Sequence, residues 1–259
     1  MGTDRIQKRK KILGIEVDIV SKEEAFSIFE ELMEREGFDM IVTPNSEIIE
    51  NATRDSMLAQ LISEAGLIIP DGIGLVYASK ILGYDLEERV TGVDFLTEVL
   101  KYLEKTGKSI FLFGSKPESE EALSVAELAA DNMRKQFPNL RIAGTHHGYF
   151  KPEDEDEIVA EINQSGADFL CVALGSPKQE KFMQLHKNEF TVCRAGIGVG
   201  GSLDVWAGTV KRAPEFYQKH GLEWLYRFVK QPSRWKRMLR LPVFMIKVIA
   251  GGGKKTGDM

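Results

Sequence analysis

The sequence predicts an α/β fold: a largely parallel sheet with flanking helices, followed by a basic, amphipathic helical C-terminal appendage. Three observations carry this expectation. Short apolar runs of strand length alternate with longer segments of helical periodicity. The composition, 43% hydrophobic and 28% charged over 259 residues, is that of an ordinary globular chain able to bury one substantial core. The charge is unevenly placed. From Val205 onward there are 12 Lys+Arg against 3 Asp+Glu, hence +9; with −5 for the whole chain, residues 1–204 carry −14. These shifts divide the chain at about residue 205, into an α/β body (1–204) and an appendage (205–259).

The elements follow in order. "ILGIEVDIV" alternates and reads as a strand or hairpin. In "SKEEAFSIFEELMERE", Ser21 and Glu24 form a capping box ahead of apolar residues at helical spacing. "FDMIVTPN" is a buried strand, with a helix expected from Ser46 to about Glu64. "GLIIP" is the next strand, with a helix from about Gly72 and another over 93–105. "KSIFLFG" precedes a long helix expected over 117–136, and "LRIAGTHHG" precedes one over 152–165. "ADFLCVALG", a helix over 177–188 and "FTVCRAGIGVGG" complete the body. The succession is Rossmann-like, and in such sheets ligands bind beyond the carboxyl ends of the strands.

Several classes are disfavoured at once. Cys171 and Cys193 each sit in an apolar run and read as buried, inert thiols, consistent with a reducing compartment. The basic N-terminus is not followed by a signal-peptide core, since Glu16 and Asp18 interrupt the apolar residues. The apolar run over 241–250 is about half the ~20 residues a spanning helix needs and contains Lys247. No HExxH, CxxC or GxSxG pattern is present, so neither a metal centre nor a covalent hydrolase is indicated.

The residues at strand ends carry the chemistry. Asp71, in "LIIPDGIGLVYASK", is a lone carboxylate between Pro70 and a glycine-rich helix start; it reads equally as a helix cap or as the base of an active site. "GSPKQEKF" places Gly175 at a strand-to-helix turn whose unpaired N–H groups suit an anion, or merely cap a helix. "GIGVGGSLD" is a backbone nest for an anion or a tight turn; it departs from the dinucleotide fingerprint. His146 and His147 in "THHGYF" are adjacent, so in an extended segment they point to opposite faces rather than to one metal. In the appendage, Trp224, Tyr226, Phe228 and Trp235 alternate with Arg227, Lys230, Arg234, Lys236, Arg237 and Arg240, and Pro232 is expected to divide two helices. Aromatic rings with cations describe an interfacial element, or a solvated basic face packed on the body; no nucleic-acid motif accompanies them.

Taken together, "TPNSEI", "PDGIGLVYASK", "ERVTGVDF", "THHGYF", "ALGSPKQEKF", "GVGGSLDVWAGTVKRAP" and "GLEWLYRFVKQPSRWKR" resemble, in this order, the WecG/TagA/CpsF family of bacterial glycosyltransferases, over about residues 12–249. The resemblance implies an inverting, metal-independent transfer of N-acetylmannosamine from UDP-ManNAc to the 4-hydroxyl of GlcNAc-diphospho-undecaprenol. That gives the β-1,4 linkage disaccharide of wall teichoic acid. It implies Asp71 as the base, with Thr43, Asn45, Arg89 and Gln179 in the catalytic pocket. Arg227, Arg234 and Arg237 would contact the acceptor diphosphate and the membrane. Donor contacts are expected from Gly114, Tyr149, Gly175, Gln179, Gly200, Gly201 and Asp204. No cofactor, metal or nucleic acid is expected. The partners are the UDP-sugar, the lipid-linked acceptor and an anionic membrane surface, at the cytoplasmic face of the cell membrane; a homo-oligomer is left open. A solitary acid suffices for such a displacement, provided that cations and backbone N–H groups neutralise the departing UDP. The alternatives are transfer of N-acetylmannosaminuronic acid, a nucleotide-binding oxidoreductase, and a non-catalytic membrane-binding module.

Overall fold

The computed structural model describes residues 8–84, 86, 89–117, 123–230 and 240–252. Its first two strands, β1 (Arg9–Ile12) and β2 (Ile15–Asp18), form the antiparallel hairpin. The hairpin is fastened to the main sheet by one buried carboxylate. Asp18 accepts from Arg9 Nε at 2.9 Å and from the backbone N–H of Ile68 at 2.8 Å, while Arg9 also donates to the carbonyls of Ser63 and Ala65. It thereby shields an edge strand that would otherwise present unpaired backbone groups.

The main sheet has six strands: β3 (Asp39–Val42), β4 (Leu67–Ile68), β5 (Ser109–Gly114), β6 (Arg141–His146), β7 (Phe169–Ala173) and β8 (Ala195–Gly198). All neighbours are parallel, in the order β4-β3-β8-β7-β5-β6. Side chains alternate between two cores. Ile110, Leu112, Phe169 and Cys171 join one; Phe111, Phe113, Leu170 and Val172 join the other. Burial on both faces explains why the strands read as continuous apolar runs. Helices α1 (Lys22–Glu34), α5 (Gly92–Thr106) and α6 (Val125–Gln136) cover the first face. Helices α2 (Ser46–Ala52), α3 (Ser56–Ser63), α4 (Ile73–Leu82), α7 (Glu155–Ser165) and α8 (Lys178–Leu185) cover the second. Both cysteines are buried, which pushes their thiols up to about 12.

Two expected helices differ from observation, and capping explains both. The helix expected over 46–64 is two, because the Asp55 side chain accepts from Leu58 N and starts a new helix. The helix expected from residue 117 begins at Val125, behind a Ser124–Glu127 capping box, and Pro117 instead pairs with Ser124 as an isolated bridge. In the tail, short helices α9 (Ser202–Trp206) and α10 (Glu215–Lys219) lead to α11 (Glu223–Lys230) and α12 (Arg240–Gly252). Pro232, Arg234 and Arg237 lie outside the described residues, as does the stretch that was to divide two helices.

Helix α12 returns to the body and packs on α2 and α4, with Phe244 and Val248 buried in the second core. Glu50, itself buried, receives Lys247 at 2.9 Å; that hydrogen bond, reinforced by the charges of Lys247, Arg54 and Arg240, outweighs burial and holds the carboxyl below its ordinary value. Leu241 reaches so close to Gly74 that a side chain there would meet it at 2.7 Å. No helix of the described residues is long and apolar enough to cross a membrane. The packing of α12 sets a contrast. Phe244 is 0% exposed and Ile246 66% exposed, so Phe244→Ala should lose about 3–5 kcal/mol of stability in denaturant melts. Ile246→Ala should change it by no more than about 0.5 kcal/mol. Equal effects would contradict this docking of α12.

Candidate functional site

The cleft lies where the sheet order directs it. The adjacent strands β4, β3, β8 and β7 deliver at their carboxyl ends Asp71, then Thr43 and Asn45, then Gly198 to Gly201, then Gly175 and Ser176. Together with Arg89, Gln179 and residues of the appendage they line one cavity of about 380 Å³.

Asp71 does not cap the helix that follows it. Gly72 is the N-cap of α4 and makes no side-chain cap bond. The Asp71 carboxylate turns instead toward a different helix: Oδ2 lies 3.5 Å from Gly92 N, in the first turn of α5, and Oδ1 lies 4.0 Å from Arg89 Nε. A guanidinium and a helix N-terminus are both favourable neighbours for negative charge. Above Gly92, Thr43 Oγ1, Asp71 Oδ2 and Ser202 Oγ all come within 4 Å of the point a β-carbon would occupy, so three polar groups converge there. Thr43 also donates to the carbonyl of Gly198 at 3.2 Å.

Other expected residues are engaged in holding the cleft open. Asn45 is the N-cap of α2, accepting from the N–H groups of Glu47 and Ile48. Gln179 is buried; its Oε1 accepts from Gly200 N at 3.2 Å and its Nε2 donates to Glu180 at 2.9 Å, which fixes the Gly200 turn against α8. A side chain at Gly198 would meet the Gln179 amide at 2.4 Å, so only glycine leaves that amide its place. Glu180 is buried behind it, and burial raises its carboxyl above the ordinary value despite the Gln179 and Ser176 side chains.

Three residues expected as donor contacts stand outside the lining of this cavity: Gly114 and Tyr149 lie at or just after the ends of β5 and β6, at the far end of the sheet, and Asp204 follows β8 on α9. Gly114 ends β5 at φ 133°, and a side chain there would sit 2.5 Å from the Ala173 backbone, so its glycine is a packing requirement. Asp204 faces β5, with Ser115 Oγ at 3.5 Å. Tyr149 is exposed and lines a second depression with His146, His147 and Phe150. The two histidine rings lie 4.9 Å apart, against the expectation of opposite faces, since β6 ends at His146. Arg227 lies on α11; Arg234 and Arg237 are outside the described residues. Elsewhere, Asp156, His186 and Glu189 bring ligand atoms within 4.8 Å, but both His186 ring nitrogens already meet Glu189 and Glu155, at 3.0 and 3.2 Å.

Sequence reasoning missed the ionic partners that complete the cleft. Glu223, the first residue of α11, pairs with Arg89 Nη2 and lies 3.8 Å from Arg212 Nε. Arg212 donates to Asp94 at 2.7 Å, and Asp94 is also bound by Thr91, the N-cap of α5. Burial pulls the Asp94 carboxyl upward, but Thr91 and Arg212 outweigh it and leave it below its ordinary value. The Thr-x-x-Asp spacing of residues 91–94 was a readable cap signal; nothing local in sequence pairs Arg89 with a residue 134 positions away.

Three carboxylates, two arginines and glycine turns at the carboxyl edge of a parallel sheet define a ligand site of the α/β class, in which the arginines and turn N–H groups are the points an anionic group could reach. Comparison with known sequences places it further: a profile of the glycosyl transferase WecG/TagA/CpsF family matches residues 10–256. The chain belongs to this family. Among its relatives, N-acetylglucosaminyldiphosphoundecaprenol N-acetyl-beta-D-mannosaminyltransferase of Bacillus spizizenii (strain W23) is 38% identical over 209 residues, 81% of this chain and 78% of the relative. The proteins of that name from Bacillus subtilis (strain 168) and Staphylococcus aureus (strain MRSA252) are 37% and 38% identical, over 81% and 80% of this chain and 78% of each relative.

The Glu180 carboxyl supplies a pH test. Its raised value means that, above the ordinary 4.5, the folded protein binds more protons than the unfolded chain, so this group lowers stability as pH rises. Relative to wild type, Glu180→Gln should melt at progressively higher temperature as pH rises above the ordinary 4.5, until the folded-state carboxyl ionises. A difference that shrinks as pH rises would contradict the assignment.

Proposed function

We propose that the protein transfers N-acetylmannosamine from UDP-ManNAc to the 4-hydroxyl of GlcNAc-diphospho-undecaprenol. The observation that carries this reading is the carboxylate of Asp71, set 4.0 Å from Arg89 at the strand ends of the cleft, in a chain whose relatives bear the names above. Asp71 takes the proton of the acceptor hydroxyl as that oxygen attacks the anomeric carbon. The bond from that carbon to the UDP oxygen breaks on the opposite face, and the configuration inverts. The departing diphosphate is neutralised by Arg89, the backbone N–H groups of the Gly175 and Gly200–Gly201 turns, and Arg227, Arg234 and Arg237 of the appendage; in this scheme no metal is required. Thr43 orients the acceptor beside Asp71, and Asn45 and Gln179 hold the turns that receive the sugar.

The acceptor's lipid keeps it in a bilayer, so the enzyme works at the membrane's inner face. Basic residues of the appendage near an anionic surface contribute roughly 1 kcal/mol each. The exposed Val229, Ile246 and Ile249 suit the headgroup boundary. A neutral sugar fits better than its uronic acid, because Arg212, the additional cation of the cleft, is engaged by Asp94 and faces Glu223.

Asp71→Asn tests the base. UDP release that depends on the lipid-linked acceptor should fall by about 10²–10⁴-fold, while circular dichroism shows the fold retained. Full activity in this variant would overturn the role of Asp71.

A further inference from the structure

The described lining of the cleft has the wrong sign for a diphosphate. It carries three carboxylates, Glu47, Asp71 and Glu223, against two guanidinium groups, Arg89 and Arg212. A diphosphate entering that set would meet net repulsion, and both cations already face one carboxylate: Glu223 Oε2 pairs with Arg89, and Oε1 lies 3.8 Å from Arg212 Nε. The three side chains are only 13%, 17% and 28% exposed, so little water screens them and their attraction is correspondingly strong.

Of the three acids, Glu223 alone stands on the appendage. Glu47 is in the first turn of α2, and Asp71 is tied through its backbone N–H to the carbonyl of Pro44 at 2.9 Å. Glu223 opens α11, an eight-residue helix, just after the turn at Gly221, where φ is +68°. That turn rests on α4, the helix behind Asp71, where a side chain on Gly221 would lie 2.7 Å from Ile73. The carboxylate that fills the arginine pair is therefore carried by the appendage, next to a glycine turn seated on the start of the helix that follows the proposed base.

The geometry points to Glu223 as a carboxylate latch: it occupies Arg89 and Arg212 in place of the donor's diphosphate, and the nucleoside diphosphate must displace it to bind. Arg212, assigned no role above, becomes a second donor-binding residue. This inference rests on the proposed use of a nucleoside diphosphate donor. Exchange of one anion for another conserves the arginine contacts, while it releases α11 from the cleft and couples donor binding to the position of the appendage.

The test is UDP affinity, measured calorimetrically on the full chain, for wild type, Glu223→Gln and Glu215→Gln. The last removes an equal charge from α10, where the side chain is exposed and its ion partner is Lys219. Glu223→Gln is expected to bind UDP about 5-fold or more tightly, and Glu215→Gln as wild type does. In hydrogen exchange, residues 215–230 should open faster in Glu223→Gln, and in wild type on addition of UDP. Unchanged or weaker UDP binding in Glu223→Gln, or equal tightening in Glu215→Gln, overturns the latch while leaving the transferase reading standing. UDP binding by none of the three proteins overturns the donor assignment, and the latch with it.

Discussion

The pairing of Arg89 with Glu223 is the contact on which the cleft depends. Arg89 lies within the body and Glu223 within the appendage, 134 positions apart, and their ion pair closes one wall of the cavity. From it the charges run outward in alternation: Asp71, Arg89, Glu223, Arg212 and Asp94, ending at the Thr91 hydroxyl. Half-buried charges are tolerated when each has an opposite neighbour. Removal of any one leaves its neighbour unbalanced, so the appendage is part of the site's electrostatics as well as its wall.

The body was legible because both of its governing patterns are local. Fully buried parallel strands appear as continuous apolar runs, and the rule that ligands gather at strand carboxyl ends singled out Thr43, Asn45, Asp71, Gly175, Gln179 and Gly200, all of which line the cavity. What was not legible is the lateral order of strands. Gly114 and Tyr149 also lie at or just after strand ends, but β5 and β6 stand at the far end of the sheet from β4, and Asp204, on α9 after β8, turns toward Ser115. Helix ends failed differently. Asp55 and the Ser124–Glu127 box are recognisable caps, yet apolar spacing on either side reads as one continuous helix. Arg212 and Glu223 were invisible for a third reason: each looks like a surface charge until the fold brings it to its partner.

Several residues in the cleft serve as its support. Asn45 and Gln179 spend their side-chain oxygens on helix and turn backbone, and Thr43 spends its proton on Gly198. This rigid support is what a reacting carboxylate needs, since positioning to a fraction of an ångström decides the rate of a displacement. Asp71, next to an arginine and a helix N-terminus, is an acid at the strand ends with both support and access. A mechanism built on it needs no second carboxylate and no covalent intermediate.

That feature gives the account its most direct test, the anomeric configuration of the product. With an α-linked UDP-sugar and a short-chain lipid-diphosphate-GlcNAc acceptor, the one-bond carbon–hydrogen coupling at the new linkage can be read by NMR. A single displacement governed by Asp71 predicts a β-linked disaccharide. An α-linked product would mean retention of configuration, which one opposite-face displacement cannot give, and would contradict the account.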